Sequence, residues 1–314
     1  MNCYAPEGMP SGRQPAHFDC TANISEAIAS GAVLEGIAQK CDNSYNLYID
    51  LGAAMGVLPF RESAVGADLG KVGEISVISK VNKPVCFCVT GLHEGADGRP
   101  VADLSRRLVQ EACQLDYLDR LAPGDIIDAA ITHFEPFGVF VDIGCGIVSL
   151  LPIDCISVSR IAHPRDRFAP GQRLRAVVSG RDGLGRITLT HKELLGTWLE
   201  NAASFSPGDT VPGVVRSVES YGIFIELLPN LAGLAEVREG VHPGDTVSVY
   251  IKSILPEKMK IKLIIIDDFP AGSGRQSRPP LRYYWEGDHI DAFYYSPPSC
   301  PREIATVFTP SSGC

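Results

Sequence analysis

The sequence lacks the short motifs that mark common catalytic and nucleotide-binding sites. It contains no Gly-x-Ser-x-Gly, no P-loop, no His-Glu-x-x-His and no dinucleotide-binding glycine cluster. Its 7 histidines are dispersed along the chain. We therefore expect a protein that is not an enzyme, binds no cofactor and takes no small-molecule substrate.

Metal-ligand spacings are missing as well. None of the 10 cysteines forms a Cys-x-x-Cys pair, and no cysteine and histidine stand at zinc-ligand spacing. We expect no metal site. Scattered thiols of this kind are typical of a reducing compartment, so the expected location is the cytoplasm.

Long hydrophobic runs are absent. The most apolar stretch, residues 139–153, is interrupted by Asp142 and by glycines, so it is a poor candidate for a membrane span. The first 20 residues are polar and rich in Pro and Gly, without the apolar centre of a signal peptide. We expect neither a signal peptide nor a membrane partner.

The chain also lacks an excess of positive charge. It carries 28 Lys and Arg against 37 Asp and Glu, a net charge of -9. A polyanion is repelled by the molecule as a whole, so local groups must bind it. Cations are clustered locally: Lys260 and Lys262 alternate with apolar residues and are expected on one outward strand face.

What the sequence does have is an internal repeat. Three hexapeptides share the order aromatic, any residue, aliphatic, aromatic, aliphatic, acid. They are residues 45–50 (Tyr-Asn-Leu-Tyr-Ile-Asp), 137–142 (Phe-Gly-Val-Phe-Val-Asp) and 221–226 (Tyr-Gly-Ile-Phe-Ile-Glu). A turn and a strand pattern precede each hexapeptide, and a second turn and strand follow it. We infer three copies of one module.

Each copy has the pattern of an all-β barrel, with short alternating strands separated by Gly and Pro turns. In the middle copy, alternation places Val139, Val141 and Ile143 on the core face. Phe140 and Asp142 are then expected on the opposite face, in contact with solvent. The predicted fold class is tandem five-stranded barrels joined by short helices, because closing so small a sheet removes its edges.

The repeat sets the predicted domain organisation. The segments are an N-terminal extension 1–29, a first, degenerate barrel 30–107, a linker helix 108–120, a second barrel 121–195, a linker helix 196–205, a third barrel 206–268 and an aromatic tail 269–314. Six large rings between residues 283 and 295 argue against a solvated tail. It either packs against the third barrel or offers a contact surface to a partner.

These motifs resemble the S1-type RNA-binding domain, an oligonucleotide-binding (OB) fold. The resemblance rests on the Pro-Gly-Asp opening at 123–125 and 207–209, on Phe-Gly-Val-Phe-Val-Asp at 137–142, and on Gly-Arg-Ile-Thr-Leu-Thr at 185–190. Three units in tandem resemble the multi-repeat proteins of the ribosomal S1 family. The resemblance covers about residues 30 to 268, and the aromatic tail has no counterpart in the family.

The resemblance implies which residues contact RNA. In the family, two aromatics on the second strand, a His after the third strand and an Asp and Arg at the last hairpin form the RNA face. The positions of this sequence that match these family residues are the candidate RNA contacts, and the charge pattern adds Lys262. The candidates are Phe137, Phe140, Asp182 and Arg186 in the second barrel, Tyr221, Phe224, Lys260 and Lys262 in the third, and Tyr45 and Tyr48 in the first. Pro152 and Glu236 stand at the His position, so the hydrogen-bonding part of the site is reduced.

The function implied by the resemblance is binding of single-stranded RNA, in particular mRNA, at the small ribosomal subunit during translation. Exposed rings that stack on unpaired bases, with cations along the backbone path, are the chemistry this requires. Two alternatives stay open: a protein-interaction adaptor that uses the barrels and the aromatic tail, and an RNA-binding regulator that acts without the ribosome. Free rings on the second strands favour nucleic acid, whereas rings covered by neighbouring segments favour the adaptor.

Overall fold

The structure is a computed structural model that describes residues 3–9, 13–269 and 281–308. The described chain forms two compact units. The first contains residues up to 121 together with 128–130 and 142–148, and the second contains 122–127, 131–141 and the residues from 149 onward. None of the helices among the described residues is long and apolar enough to span a membrane.

The first barrel lies in the first unit. Its elements in chain order are β1 (Gln14–Pro15), α1 (Thr21–Ser30), β2 (Leu34–Cys41), β3 (Leu47–Asp50), β4 (Met55–Leu58), α2 (Glu74–Ile78), β5 (Pro84–Glu94), β6 (Pro100–Ser105) and α3 (Arg107–Asp116). The five strands β2 to β6 close in the order β2-β3-β4-β6-β5, with β5 pairing back to β2, and β1 adds to β2 in parallel.

The second and third barrels repeat this topology. The second consists of β7 (Ile126–Glu135), β8 (Gly138–Gly144), β9 (Ile147–Pro152), β10 (Arg173–Arg181) and β11 (Ile187–Thr190). The third consists of β12 (Thr210–Glu219), β13 (Gly222–Leu228), β14 (Leu231–Ala235), β15 (Thr246–Leu255) and β16 (Lys260–Phe269). Both are closed, which confirms the prediction of an all-β chain of tandem five-stranded barrels joined by short helices.

Alternation explains the core of each barrel. On β16, Ile261 and Leu263 are buried while the lysines on either side of Ile261 are exposed. The strand paired with the last strand carries a β-bulge at the same place in all three barrels: between Val89 and Gly91 on β5, between Val178 and Gly180 on β10, and between Ile251 and Ser253 on β15. Such bulges increase the local twist, which helps a short sheet to close.

Short helical turns connect the barrels. Between the second and the third, α4 (Trp198–Ala202) is capped by Thr197, whose hydroxyl accepts from the Glu200 N–H while the Glu200 carboxylate accepts from the Thr197 N–H. This capping box satisfies N–H groups at the helix start. Trp198, the first residue of α4, is buried in the core that the linker shares with the third barrel.

The described part of the aromatic tail packs on the second unit. Its hairpin is formed by β17 (Ala292–Tyr294) and β18 (Ala305–Val307). The Tyr295 hydroxyl donates to the Asn230 carbonyl at 2.6 Å, and Tyr295 is buried in the same core as Trp198. The tail therefore contacts the third barrel and the linker. The Gly-, Ser-, Arg- and Pro-rich segment 271–280 reads as a linker in the sequence, and it lies outside the described residues.

The tail also closes over the second barrel at His191. The His191 Nδ1–H donates to the Ile156 carbonyl at 2.9 Å, and Nε2 faces the Tyr283 hydroxyl at 3.2 Å. The Tyr283 hydroxyl donates to this nitrogen, because His191 is neutral: burial lowers its pKa to about 4. Packing on the second unit thus accounts for Tyr283 and Tyr295.

The acid that ends the repeated hexapeptide is not in contact with solvent, contrary to the expectation for Asp142. In the first unit the Glu7 N–H donates to Asp142 Oδ2 at 2.8 Å, and the N–H groups of Gly144 and Gly146 donate to Oδ1. Burial raises the pKa of Asp142 to about 6, and the nearby Glu7 charge adds to this. The outward face was predicted correctly, but the N-terminal segment covers it.

Candidate nucleic-acid interface

Two rings form an edge-to-face pair at the start of the second strand of the third barrel. The ring centroids of Tyr221 and Phe224 are 6.1 Å apart and their planes make an angle of 88°. Tyr221 is 68% exposed, and Phe224 lies half-buried beside it. Gly222 keeps the strand close to its neighbour, because a Cβ there would lie 2.7 Å from the Ala235 carbonyl oxygen. The glycine in the motif therefore lets both rings lie on the outer face.

The second barrel repeats this pair. Phe137 and Phe140 have centroids 6.3 Å apart at an angle of 88°, and Phe137 is 55% exposed. A Cβ on Gly138 would lie 2.6 Å from the Leu151 carbonyl oxygen, the same constraint as in the third barrel. Phe140 and Phe224 are half-buried, and each packs against a ring of its own barrel. The other ring of each pair, Phe137 or Tyr221, is exposed.

A cation lies across the sheet from the third-barrel rings. Phe224 pairs with Leu234 on β14, and Leu234 pairs with Lys262 on β16. Directly paired residues share a face, so Phe224 and Lys262 lie on the outer face two strand spacings apart, about 10 Å. This is a suitable arrangement for a base on the ring and a neighbouring phosphate on the ammonium group.

The second barrel places its cation at the last hairpin. The pairing of Leu150 with Thr188 corresponds to that of Leu234 with Lys262, so Arg186 occupies the position of Lys260. Arg186 is exposed and forms an ion pair with Asp182 at 2.8 Å. Asp182 also accepts the N–H groups of Leu184 and Arg186, which lower the pKa of its carboxyl group and fix the turn. Asp182 therefore orients Arg186.

The first barrel departs from this arrangement. Tyr45 packs on Phe60 at 6.0 Å rather than on Tyr48, and Asn46 replaces the glycine of the other two copies. The Tyr48 hydroxyl donates to Asp42 at 3.0 Å, which raises the pKa of Tyr48. The rings are present, but they do not form the edge-to-face pair.

The charge across the first-barrel sheet is also different. Tyr48 pairs with Val57 and Val57 with Asp103, so an acid stands where the third barrel has Lys262. Asp103 lies 3.3 Å from the ring of His93. An acid at this position repels a phosphate. RNA contact by Tyr45 and Tyr48 stays a prediction, and it has less support than contact by the other two barrels.

Sequence reasoning missed His133, a third ring in the second barrel. Its ring centroid lies 6.3 Å from that of Phe140 with the planes 32° apart, and its side chain is 64% exposed. Strict alternation of inward and outward side chains along β7, starting from the buried Ile131, places His133 on the core side. In the structure Thr132 and His133 are both exposed. The equivalent strand of the third barrel has a bulge between Val215 and Ser217, and a bulge shifts the alternation by one residue. The sequence signal that could have indicated this exposure is the succession of two polar residues, Thr132 and His133.

Within the described residues, no group of three or more His, Cys, Asp and Glu side chains could hold a metal ion. The predicted site residues of the second and third barrels are the rings and cations described above, on the outer faces.

Comparison with known families assigns the second barrel. Residues 120–192 match the family model described as "S1 RNA binding domain". The match spans all five strands of that barrel. The second barrel contains an S1 domain. The ring pair and the hairpin arginine described above therefore lie on an S1 domain.

Relatives match over a larger part of the chain. The small ribosomal subunit protein bS1 of Leuconostoc lactis is 32% identical over 210 residues, which cover 59% of this chain and 49% of that protein. The bS1 homolog of Bacillus subtilis is 32% identical over 177 residues, 51% of this chain and 46% of that protein. The chain thus spans about half the length of these relatives.

A solved structure is also similar. A multidomain protein with nucleic acid binding domains from Streptococcus pneumoniae covers 77% of this chain and 75% of its own, at 13% identity and a TM-score of 0.25. At so low a TM-score the likeness carries no argument about function.

Proposed function

We propose that this chain binds single-stranded RNA, through base stacking on the outer faces of its second and third barrels. The observation that carries the proposal is the pair of equivalent edge-to-face ring pairs, Phe137 with Phe140 and Tyr221 with Phe224. In each case the same barrel also carries an exposed cation, Arg186 in the second and Lys262 in the third. Stacking on an aromatic platform contributes about 1–3 kcal/mol per base and tolerates any base.

The exposure of the rings favours RNA over a protein-interaction adaptor. Phe137 and Tyr221 are more than half exposed, and the partner rings of Phe140 and Phe224 belong to their own barrels. The tail, which the adaptor hypothesis needs as a free surface, instead buries Tyr295 in the core of the second unit.

The local charge makes each barrel a weak site. The second barrel, residues 121–195, has eight cations and eight acids, and the third, residues 206–268, has six cations and nine acids. Few phosphates are neutralised at each barrel, so tethering of weak sites on one chain must supply the affinity. An RNA long enough to reach both barrels gains from both sites.

We expect the protein to bind a fluorescently labelled single-stranded RNA of about 12–30 nucleotides, measured by anisotropy. Three proposed phosphate contacts, at Arg186, Lys260 and Lys262, predict a slope of log affinity against log salt of about -2 for a single strand. A duplex of the same sequence is the control, because its bases are stacked inside the helix. Equal affinity for single strand and duplex would argue against stacking as the mode of binding.

We further propose that the RNA is mRNA and that the chain acts at the small ribosomal subunit. The support is the 32% identity to two proteins named for that subunit. Co-sedimentation with purified small subunits tests this separately from RNA binding. Failure to sediment with them, together with RNA binding, would favour a regulator that acts without the ribosome.

A further inference from the structure

The His133 and Phe140 rings are neighbours on the second barrel, and we call the space between them the cleft. Their planes are 32° from parallel and their centroids are 6.3 Å apart. Phe140 also contacts the perpendicular ring of Phe137. The His133 side chain is 64% exposed, so the cleft is accessible at this ring.

The width of the cleft is close to that of one nucleobase. Stacked bases in a duplex rise by about 3.4 Å per step, so a base between two rings needs them roughly 7 Å apart. The observed 6.3 Å falls slightly short. A small rotation of an exposed side chain supplies the difference, because exposed side chains change rotamer rapidly.

The His133 ring contacts an acid of its own strand. His133 Nε2 lies 2.7 Å from Glu135 Oε1. The side chains are 64% and 36% exposed, and an exposed contact of this kind costs little to break, so the ring can rotate when a base binds.

The other barrels have no such cleft. In the first barrel, the first-strand residue paired with the second-strand ring is Lys40, which lies opposite Tyr48. In the third barrel it is Ser217, which lies opposite Phe224. The Lys40 ammonium lies 5.6 Å from the centre of the Tyr48 ring and takes the place a base would need. Ser217 has no ring. Among the three barrels, only the second has a ring on its first strand that contacts the second-strand ring, His133 at Phe140.

We propose that His133 and Phe140 hold one nucleobase of a single-stranded nucleic acid between their rings, which makes the second barrel the strongest base-binding module of the chain. The inference rests on the proposed function, and it adds a residue on the first strand to the RNA site. His133 supplies a flat face, as imidazole rings do in many RNA complexes.

A double-mutant cycle on the full chain tests this cleft. With single-stranded RNA, His133→Ala is expected to weaken binding at least fivefold, at the lower end of one stacking contact. In the Phe140→Ala background the same change is expected to cost less than about twofold, because the base has already lost its partner ring. His133→Phe keeps a ring and should bind within about twofold of wild type, although it too releases Glu135. Ser217→Ala, at the equivalent third-barrel position, is the matched control and should have no effect.

The outcomes separate the inference from the proposed function. If Phe140→Ala weakens binding but His133→Ala does not, the cleft is wrong and the stacking function stands. An equal loss on His133→Ala in both backgrounds also overturns the cleft, because the two rings then act on different parts of the RNA. If Phe140→Ala itself has no effect, the proposed function fails at this barrel.

Discussion

Replacing Phe140 and Phe224 together by alanine is expected to weaken binding of single-stranded RNA at least tenfold. Two stacked bases are lost, each worth about 1–3 kcal/mol, and tenfold in affinity is about 1.4 kcal/mol. Both rings lie on outer faces and outside the barrel cores, so the fold should persist. Anisotropy titrations of the wild type and the double variant at the same salt concentration measure the effect.

Tyr294→Ala is the matched control for this variant. Tyr294 is also an aromatic ring, 57% exposed, but it lies on the tail hairpin, so its removal should leave RNA affinity unchanged. Tryptophan fluorescence checks that each variant is folded. An unchanged affinity in the folded double variant would show that these rings do not receive bases.

Glu226→Ala is expected to destabilise the second unit by about 3–5 kcal/mol, because it leaves the buried Arg167 without a counter-ion. Arg167 donates to both carboxylate oxygens of Glu226, at 2.7 and 2.9 Å, and Arg216 adds a contact at 2.9 Å. Burial would raise the pKa of Glu226, but these hydrogen bonds and charges outweigh it and lower the pKa. The carboxylate is therefore ionised, and it joins the second barrel to the third.

Urea unfolding followed by tryptophan fluorescence measures this loss. Both tryptophans, Trp198 and Trp285, belong to the second unit, so the signal reports on that unit alone. Asp268→Ala is the control: it removes an exposed ion pair with Arg238 at 3.1 Å and should cost at most about 1 kcal/mol. If Glu226→Ala does not fold, Arg216→Ala should still fold with a smaller loss. Equal stabilities of wild type, Arg216→Ala and Glu226→Ala would contradict a stabilising role for the network.

The sequence was sufficient to predict the barrels, because the repeated hexapeptide is itself a strand with one core face. Alternation on Val139, Val141 and Ile143 assigned that face correctly. The same rule assigned Phe140 to the outer face. These predictions depend only on neighbours in one strand, which is the range over which periodicity is informative.

The remaining features depend on distant segments or on a change of register. Burial of Asp142 requires Glu7, and burial of Glu226 requires Arg167; each partner lies far away in sequence. His133 was missed because Thr132 and His133 are both exposed on β7. Two exposed residues in succession break the alternation, so the predicted faces are exchanged beyond that point. Such features follow from packing between elements, which a single-strand pattern does not contain.

The most direct test of the account is the response of individual phenylalanine rings to RNA. Ring resonances of the 12 phenylalanines can be observed by NMR after selective labelling, and the Phe140 and Phe224 signals assigned from the single alanine variants. Addition of single-stranded RNA is predicted to shift the Phe140 and Phe224 signals, since a stacked base changes the local magnetic field. The rings of Phe87 and Phe168 are fully buried and should not respond. RNA binding without a shift at either Phe140 or Phe224 would contradict the account.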